Sequence, residues 1–164
     1  MKIRIITIIF LAFISSFGVN AQWTKPSFKN NNGSKTDQAQ LKHEKALKYD
    51  TFFFKALKEK SIDNYNEALI YFNKCIEVDK SIPQPYYELA LIYEIKNDFE
   101  SCLEFISEAY KLDSKNKWIL HLYARSSFKL EMYNLSIRLY KELIKMTPSK
   151  IERYFELADV FIFS

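Results

Sequence analysis

Glycine is nearly absent from this sequence of 164 residues. Its two glycines are Gly18 and Gly33, so residues 34–164 contain none. Phosphate-binding loops and nucleophile elbows need glycine where the backbone turns sharply or approaches a ligand, and short β-hairpins favour it as well. The missing glycines therefore exclude such sites from residues 34–164 and predict a helical body.

Cysteine and histidine are also scarce, with two of each. Two cysteines are too few for a small disulfide-built scaffold, and Cys75 and Cys102 do not form a Cys-x-x-Cys pair. His43 and His121 lack partners at metal-ligand spacing, so we expect no metal site. No acid–base or nucleophile constellation and no cofactor motif appears, and the sequence predicts a protein that is not an enzyme.

The charge is close to balanced. The chain has 24 lysines and arginines against 20 aspartates and glutamates, a net charge of +4, and the two signs are interspersed. A nucleic-acid partner requires a basic patch or stripe. We therefore expect no binding to nucleic acid.

The N-terminus has the pattern of a secretory signal. Lys2 and Arg4 precede the apolar run 5–17, and the small residues around Ala21 come directly before Gln22. The run is shorter than the about 20 residues that cross a membrane. We predict cleavage of residues 1–21 in preference to a membrane anchor. A bacterial protein exported to the periplasm, the outer membrane or the medium would follow, with no stable membrane span.

Residues 22–40 are polar and contain Asn, Ser, Gly and Pro without a sustained apolar period, which predicts a flexible linker. From Leu41 onward apolar residues follow helical spacing. Six positions then recur three times at an interval of 34 residues. They are Tyr65, Ala68, Leu69, Phe72, Cys75 and Ile76, then Phe99, Cys102, Leu103, Ile106, Ala109 and Tyr110, then Tyr133, Ser136, Ile137, Tyr140, Leu143 and Ile144.

A second stripe recurs at the same interval, one helix earlier. Its members are Tyr86, Leu89, Ala90 and Tyr93, then Leu120, Tyr123, Ala124 and Ser127, then Tyr154, Leu157, Ala158 and Phe161. Small residues stand twelve positions apart in each complete unit, such as Ala124 and Ser136, which predicts a close approach of two helices. Ser81–Gln84 and Ser149–Glu152 have the spacing of capping boxes.

The interval is the length of one helix-turn-helix unit, because short links force neighbouring helices to be antiparallel. We predict an all-α fold, an α-solenoid with units at about 49–82, 83–116 and 117–150 and the first helix of a fourth at 151–164. Residues 41–164 would form this repeat domain. Cys75 and Cys102 fall on small positions of second helices, where core packing and a disulfide between adjacent units are the two interpretations.

This pattern resembles the tetratricopeptide repeat family over about residues 49–164. The family's small positions fall on Ala90, Ala124 and Ala158 and on Ala68, Cys102 and Ser136, and its second-helix aromatic falls on Tyr65, Phe99 and Tyr133. Its end-of-unit proline appears only as Pro148, and alanine replaces its usual first-helix glycine. The signal followed by Tyr-rich repeats also resembles exported repeat proteins of Bacteroidetes-type bacteria.

The resemblance implies that first helices line a concave binding face. Carried over position by position, it selects Phe53, Leu57, Tyr87, Leu91, Trp118, His121, Arg125, Phe128 and Phe155, with Glu94 and Asp159 beside them. Aromatic and arginine anchors are typical of a peptide-binding groove, whereas packing of the same rings between units is the alternative.

The resemblance implies a non-catalytic scaffold of the bacterial cell envelope that binds a peptide or protein on this face. The alternatives are an accessory module of a larger envelope protein and a glycan- or peptidoglycan-binding protein that uses the aromatic strip. The stripe of residues 151–164 has no second helix in the sequence. We expect either a longer protein or another surface to cover it, by self-association or by a partner.

Overall fold

The computed structural model describes residues 33–164, which hold seven α-helices and no strand. The predicted signal, residues 1–21, lies outside the described residues. The helices are α1 (Gly33–Ser61), α2 (Tyr65–Val78), α3 (Pro83–Ile95), α4 (Phe99–Leu112), α5 (Lys117–Lys129), α6 (Tyr133–Met146) and α7 (Glu152–Phe163). Second helices α2, α4 and α6 alternate with first helices α1, α3, α5 and α7, so the predicted all-α repeat is confirmed.

The linker prediction for residues 22–40 is wrong at its C-terminal end. Residues 33–40 belong to α1, which has 29 residues, while residues 22–32 lie outside the described part of the chain. Lys, Gln, Ala, Leu and Glu favour helix even where no face is buried. An apolar period marks only helices that pack on a core, and residues 37–48 are exposed on every side.

Residues 38–164 form one compact unit in which each helix packs on its neighbours in the chain. Three apolar clusters fill the spaces between helices. Phe72, Ile106 and Tyr140 occupy the same repeat position, and each is at most 2% exposed in its own cluster. The large apolar position of every second helix therefore anchors one unit.

The predicted close approach of small residues is confirmed in all three complete units. The pairs Ala56 with Ala68, Ala90 with Cys102 and Ala124 with Ser136 are all 0% exposed. The Ser136 hydroxyl crosses from α6 to donate to the Ala124 carbonyl of α5 at 2.9 Å. A side chain of two heavy atoms can reach the neighbouring backbone only when the helices lie close together, which small residues on both helices permit.

Both cysteines are free thiols in the apolar core. Cys102 Sγ lies 3.0 Å from the Ser126 hydroxyl, and Cys75 Sγ donates to the Tyr49 carbonyl at 3.8 Å. Burial raises the pKa of each thiol to about 11. The two groups are therefore protonated at neutral pH and pack as small apolar residues, and the alternative of a disulfide between them is not formed.

One turn is repeated at every junction between a first and a second helix. Asp63, Asn97 and Glu131 have φ of 58°, 57° and 57° and stand 34 residues apart. The next residue donates its N–H to the carbonyl five residues earlier, as Asp98 does to Tyr93 at 2.9 Å. This is the Schellman ending, which usually requires glycine. Aspartate and asparagine tolerate this conformation, but glutamate bears a steric cost.

The two predicted capping boxes are wrong. The chain enters α3 through Ile82 and α7 through Ile151, and neither has a capping side-chain bond. The Ser81 hydroxyl instead donates to Asp79 at 2.6 Å. Asp79 competes for the serine because its carboxylate is a stronger acceptor than a hydroxyl.

We predict that Ala124→Trp destabilises the fold by at least about 1–3 kcal/mol, because an indole overfills a site with no free space. Denaturant unfolding followed by circular dichroism measures the loss, and Ala90→Trp should behave alike. Ala158→Trp is the matched control. It occupies the same repeat position on α7 but is exposed, so its unfolding midpoint should stay near that of the unchanged protein. Equal midpoints for Ala124→Trp and Ala158→Trp would contradict the assigned crossing.

We predict that Glu131→Gly stabilises the protein by about 0.5–1 kcal/mol, because glycine relieves the steric cost of positive φ. Asn97→Gly is the control and should gain less, since asparagine already tolerates this conformation. Urea unfolding of the two variants measures the difference. A loss of stability in Glu131→Gly would show that its side chain contributes more than its backbone strain costs.

Candidate functional site

The four first helices share one surface, which we call the first-helix surface, because polar side chains connect each of them to the next. Lys60 of α1 donates to Glu88 of α3 at 2.6 Å. Arg125 of α5 contacts Glu94 of α3, and His121 of α5 contacts Glu156 of α7. These are contacts between residues 28–35 positions apart, so each crosses from one unit to the next.

Arg125 and Glu94 form the best-aligned ion pair on this surface. Nε and one terminal nitrogen of the guanidinium each donate to a different carboxylate oxygen at 2.6 Å. The Arg125 side chain is still 40% exposed, and that of Glu94 is 21% exposed. A bidentate pair of this kind fixes the guanidinium plane and orients it toward solvent. Arg125 is therefore an accessible cation that already holds one carboxylate.

His121 lies in a second polar cluster with Arg153 and Glu156. Its Nε2 is 3.0 Å from Glu156 Oε1, and Arg153 donates to both Glu156 oxygens at 2.8 and 3.0 Å while also contacting Nε2. Burial lowers the pKa of His121, and Arg153 and Arg125 act in the same direction against the opposing effect of Glu156. A neutral imidazole can accept the Arg153 N–H at Nε2, so the arginine bridges the ring and the carboxylate.

Three of the predicted site residues are accessible on this surface. Trp118 at the start of α5 is 58% exposed and Phe155 on α7 is 65% exposed. Arg125 is the third, and it lies two helical turns after Trp118 on α5. The structure therefore places two open rings and a cation on adjacent first helices.

The other predicted aromatic and aliphatic residues pack against the core. The Phe53 and Phe72 rings meet edge to face with centroids 5.8 Å apart, and the Phe128 ring lies 6.2 Å from that of Tyr133. Burial raises the pKa of Tyr87. The partly buried members of the predicted set are Phe53, Leu57, Tyr87, Leu91 and Phe128. Their position fits the packing interpretation of these rings, with one edge left at the surface.

Lys60, Glu88, Arg153 and Glu156 are polar members of this surface that sequence reasoning missed. Glu88 is only 8% exposed and accepts from Lys60 and from Gln84 at 2.6 and 3.1 Å. Buried charges need such partners because desolvation is costly. The signal was available in the sequence, since these residues flank the predicted apolar stripes at helical spacing.

No cluster of three or more His, Cys, Asp and Glu suited to a metal ion occurs within residues 33–164. Among the same residues, no helix is both long and apolar enough to cross a membrane. Neither a metal nor a cofactor is therefore needed to explain any side-chain arrangement on the first-helix surface.

The architecture is that of known helical repeats. A family model described as anaphase-promoting complex, cyclosome, subunit 3 matches residues 61–143, which are 83 of the 164 residues. No curated protein sequence matches the chain significantly.

Solved structures with the same fold share little sequence with the chain. YrrB, described as a TPR protein with an unusual peptide-binding site, is 18% identical with a TM-score of 0.63. The alignment covers 66% of this chain and 56% of YrrB, so the chain spans little more than half of that structure. The TPR domain of Arabidopsis OM64 is 12% identical with a TM-score of 0.65 over 73% of this chain and 99% of the domain.

A third structure is the first TPR domain of Spaghetti (RPAP3) bound to the HSP90 peptide SRMEEVD. It is 18% identical with a TM-score of 0.64 over 70% of this chain and 90% of the domain. At such identities the likeness shows the fold. Together with the 34-residue period, it defines this molecule as a tetratricopeptide-type solenoid. The chain belongs to the family described as anaphase-promoting complex, cyclosome, subunit 3.

The low pKa of His121 predicts that the protein loses stability in mild acid. The unfolded chain binds a proton on this histidine near pH 6.5, but the folded protein binds it only at lower pH. This contribution is therefore complete above about pH 6.5 and is lost as the pH falls toward the folded pKa. His121→Gln should flatten the fall in thermal midpoint below about pH 6.5.

His43→Gln is the matched control, because His43 is exposed on α1. Its midpoint should follow the pH dependence of the unchanged protein. Parallel curves for His121→Gln and the unchanged protein would show that the Arg153–Glu156 cluster holds the histidine equally well in both protonation states.

Proposed function

We propose that this chain is an exported, non-catalytic scaffold of a bacterial cell envelope that binds a peptide or protein segment on its first-helix surface. The observation that carries the proposal is the set of accessible anchors, Trp118, Arg125 and Phe155, on the adjacent helices α5 and α7. Trp, Tyr and Arg are the residues that dominate binding energy at protein interfaces. Large rings left in water forgo burial energy that a partner supplies.

The ion pair of Arg125 supports a segment with an acidic group. Glu94 occupies the guanidinium fork, and both groups remain partly exposed. An incoming carboxylate takes the place of Glu94 without leaving the arginine unpaired. The exchange replaces one charge-assisted contact by another, so its net gain comes mainly from the rings that the rest of the ligand covers.

The solved neighbours add general support. YrrB is described as having a peptide-binding site, and the RPAP3 domain is bound to the peptide SRMEEVD. Both statements concern those proteins, and the shared fold supports a similar use of the first-helix surface here. The export part of the proposal rests on the N-terminal pattern of Lys2, Arg4, the apolar run and Ala21, which lies outside the described residues.

A glycan ligand is the second candidate, because the Trp118 ring is open and Lys117 Nζ lies 5.3 Å from its centroid. A flat ring beside a cation also suits the face of an acidic sugar. The role of an accessory module in a larger envelope protein is compatible with either ligand.

We predict that a photo-crosslinking amino acid at position 118 or 155 captures a protein partner in the native organism. The same group at Ile70 is the control, since Ile70 is 46% exposed but lies on the second helix α2. Mass spectrometry of the adduct identifies the partner and the N-terminus of the chain, which we expect to be Gln22 in the envelope fraction.

Capture from position 70 and not from 118 or 155 would overturn the assignment of the surface. An N-terminus at residue 1 in the cytoplasmic fraction would overturn export alone. Sensitivity of the captured material to glycosidase and not to protease would favour the glycan candidate.

A further inference from the structure

The last helix leaves open a face that every other first helix buries. Ala56, Ala90 and Ala124 are 0% exposed, but Ala158 at the same repeat position is exposed. Tyr154 and Phe161 lie one turn to either side of Ala158 and are 46% and 52% exposed. The opposite side of α7 is satisfied, because Val160 is 0% exposed against α6. We call the surface of Tyr154, Ala158 and Phe161 the open α7 face.

The other units show which kind of element this face accepts. In each of them the small residue of the first helix meets a small residue of an antiparallel second helix twelve positions later. The 2.9 Å bond from Ser136 to the Ala124 carbonyl shows how closely those helices approach. Ala158 leaves room for the same approach, whereas a loop or a sheet edge would leave its flanking rings uncovered.

The surface beside the open α7 face is basic. Arg138, Lys141 and Lys145 line a groove of about 480 Å³ along α6, in which Glu142 is the only acidic side chain. The groove and the open face are continuous, because Lys141 Nζ lies 5.7 Å from the centroid of the Phe161 ring. Glu142 is itself engaged by the Tyr110 hydroxyl at 3.1 Å. The three cations have no ion-pair partner within residues 33–164.

The corresponding surface of α4 has the opposite sign. Glu100, Glu104 and Glu108 stand on α4 exactly one repeat before Asn134, Arg138 and Glu142 on α6, and Ser107 stands where α6 has Lys141. Packing of one second helix on the next therefore does not require lysine or arginine at these positions. The cations on α6 select the charge of whatever helix lies beside it.

We propose that the open α7 face and the basic groove of α6 together bind an amphipathic helix of a second protein. That helix has the pattern of a second helix of this repeat, with a small residue opposite Ala158 and large apolar residues one turn away on each side. It carries acidic residues on the flank that meets Arg138, Lys141 and Lys145. The site is distinct from the first-helix surface, so the solenoid holds two partners at different places.

The chain itself supplies two matched probes. Residues 96–113, which contain α4, have the required pattern with two lysines against five acidic residues. Residues 130–147, which contain α6, have the same pattern with three basic residues against two acidic ones. Both are made as fluorescein-labelled peptides, with Cys102→Ala in the first and Ser136→Ala in the second. Fluorescence anisotropy measures their binding to the protein.

We predict that the acidic peptide binds at least about tenfold more tightly than the basic one and that added salt reduces the difference. Ala158→Trp should weaken binding of the acidic peptide by at least about tenfold, because the indole prevents the close approach. Lys141→Glu should reduce the preference for the acidic peptide. Phe54→Glu is the control at the other end of the solenoid, where Phe54 is 68% exposed, and should change nothing.

Three results would overturn the proposal. Equal binding of the two peptides would remove the charge selection, and unchanged binding to Ala158→Trp would place the peptide elsewhere. Sedimentation of the protein as a dimer that Phe161→Glu with Phe163→Glu converts to a monomer would show that a second copy covers the face. Trp118→Ala should leave peptide binding unchanged, which separates this site from the first-helix surface.

Discussion

The close crossing of two helices at a pair of small residues is the constraint from which the rest of this structure follows. At Ala124 and Ser136 the backbones approach until a serine hydroxyl reaches the opposite carbonyl. That approach fixes the register of the two helices, so the apolar residues one turn away meet at set heights and form one cluster per unit. Because the crossing recurs every 34 residues, so do the turn, the cluster and the orientation of each first helix.

The repeated crossing also gives the molecule its functional surfaces. First helices present one side to their own second helix and another to the preceding unit, and the remaining side carries Trp118, Arg125 and Phe155. At α7 the same geometry leaves Ala158 uncovered. One packing rule thus accounts for an extended polar surface across the units and for an apolar face at the last helix.

The helices, their period and the buried small and large positions could be predicted from the sequence, since each is an apolar pattern read at helical spacing. The extra length of α1 could not, because helix in residues 33–40 rests on propensity without burial. Trp118 and Phe155 were predicted to be accessible anchors and are exposed, but Phe53 and Tyr87 at equivalent positions pack inward. Whether a ring on the rim of a helix turns in or out depends on the residues of the next unit, such as Phe72 opposite Phe53, which no single-helix pattern contains. Polar partners such as Glu156 for His121 were missed for the same reason.

The three bridges between first helices differ in chemistry, and this makes the stack unevenly stiff. Lys60–Glu88 is largely shielded from solvent, Glu94–Arg125 is a half-exposed bidentate pair, and His121 with Arg153 and Glu156 includes a titrating ring. Each bridge joins only adjacent units, so strain applied to the solenoid is distributed like load along a row of unlike springs. Salt softens the middle joint most, because exposed pairs are screened, while acid softens the last. The joint between α5 and α7 is therefore the one at which the curvature of this molecule responds to the acidity of its surroundings.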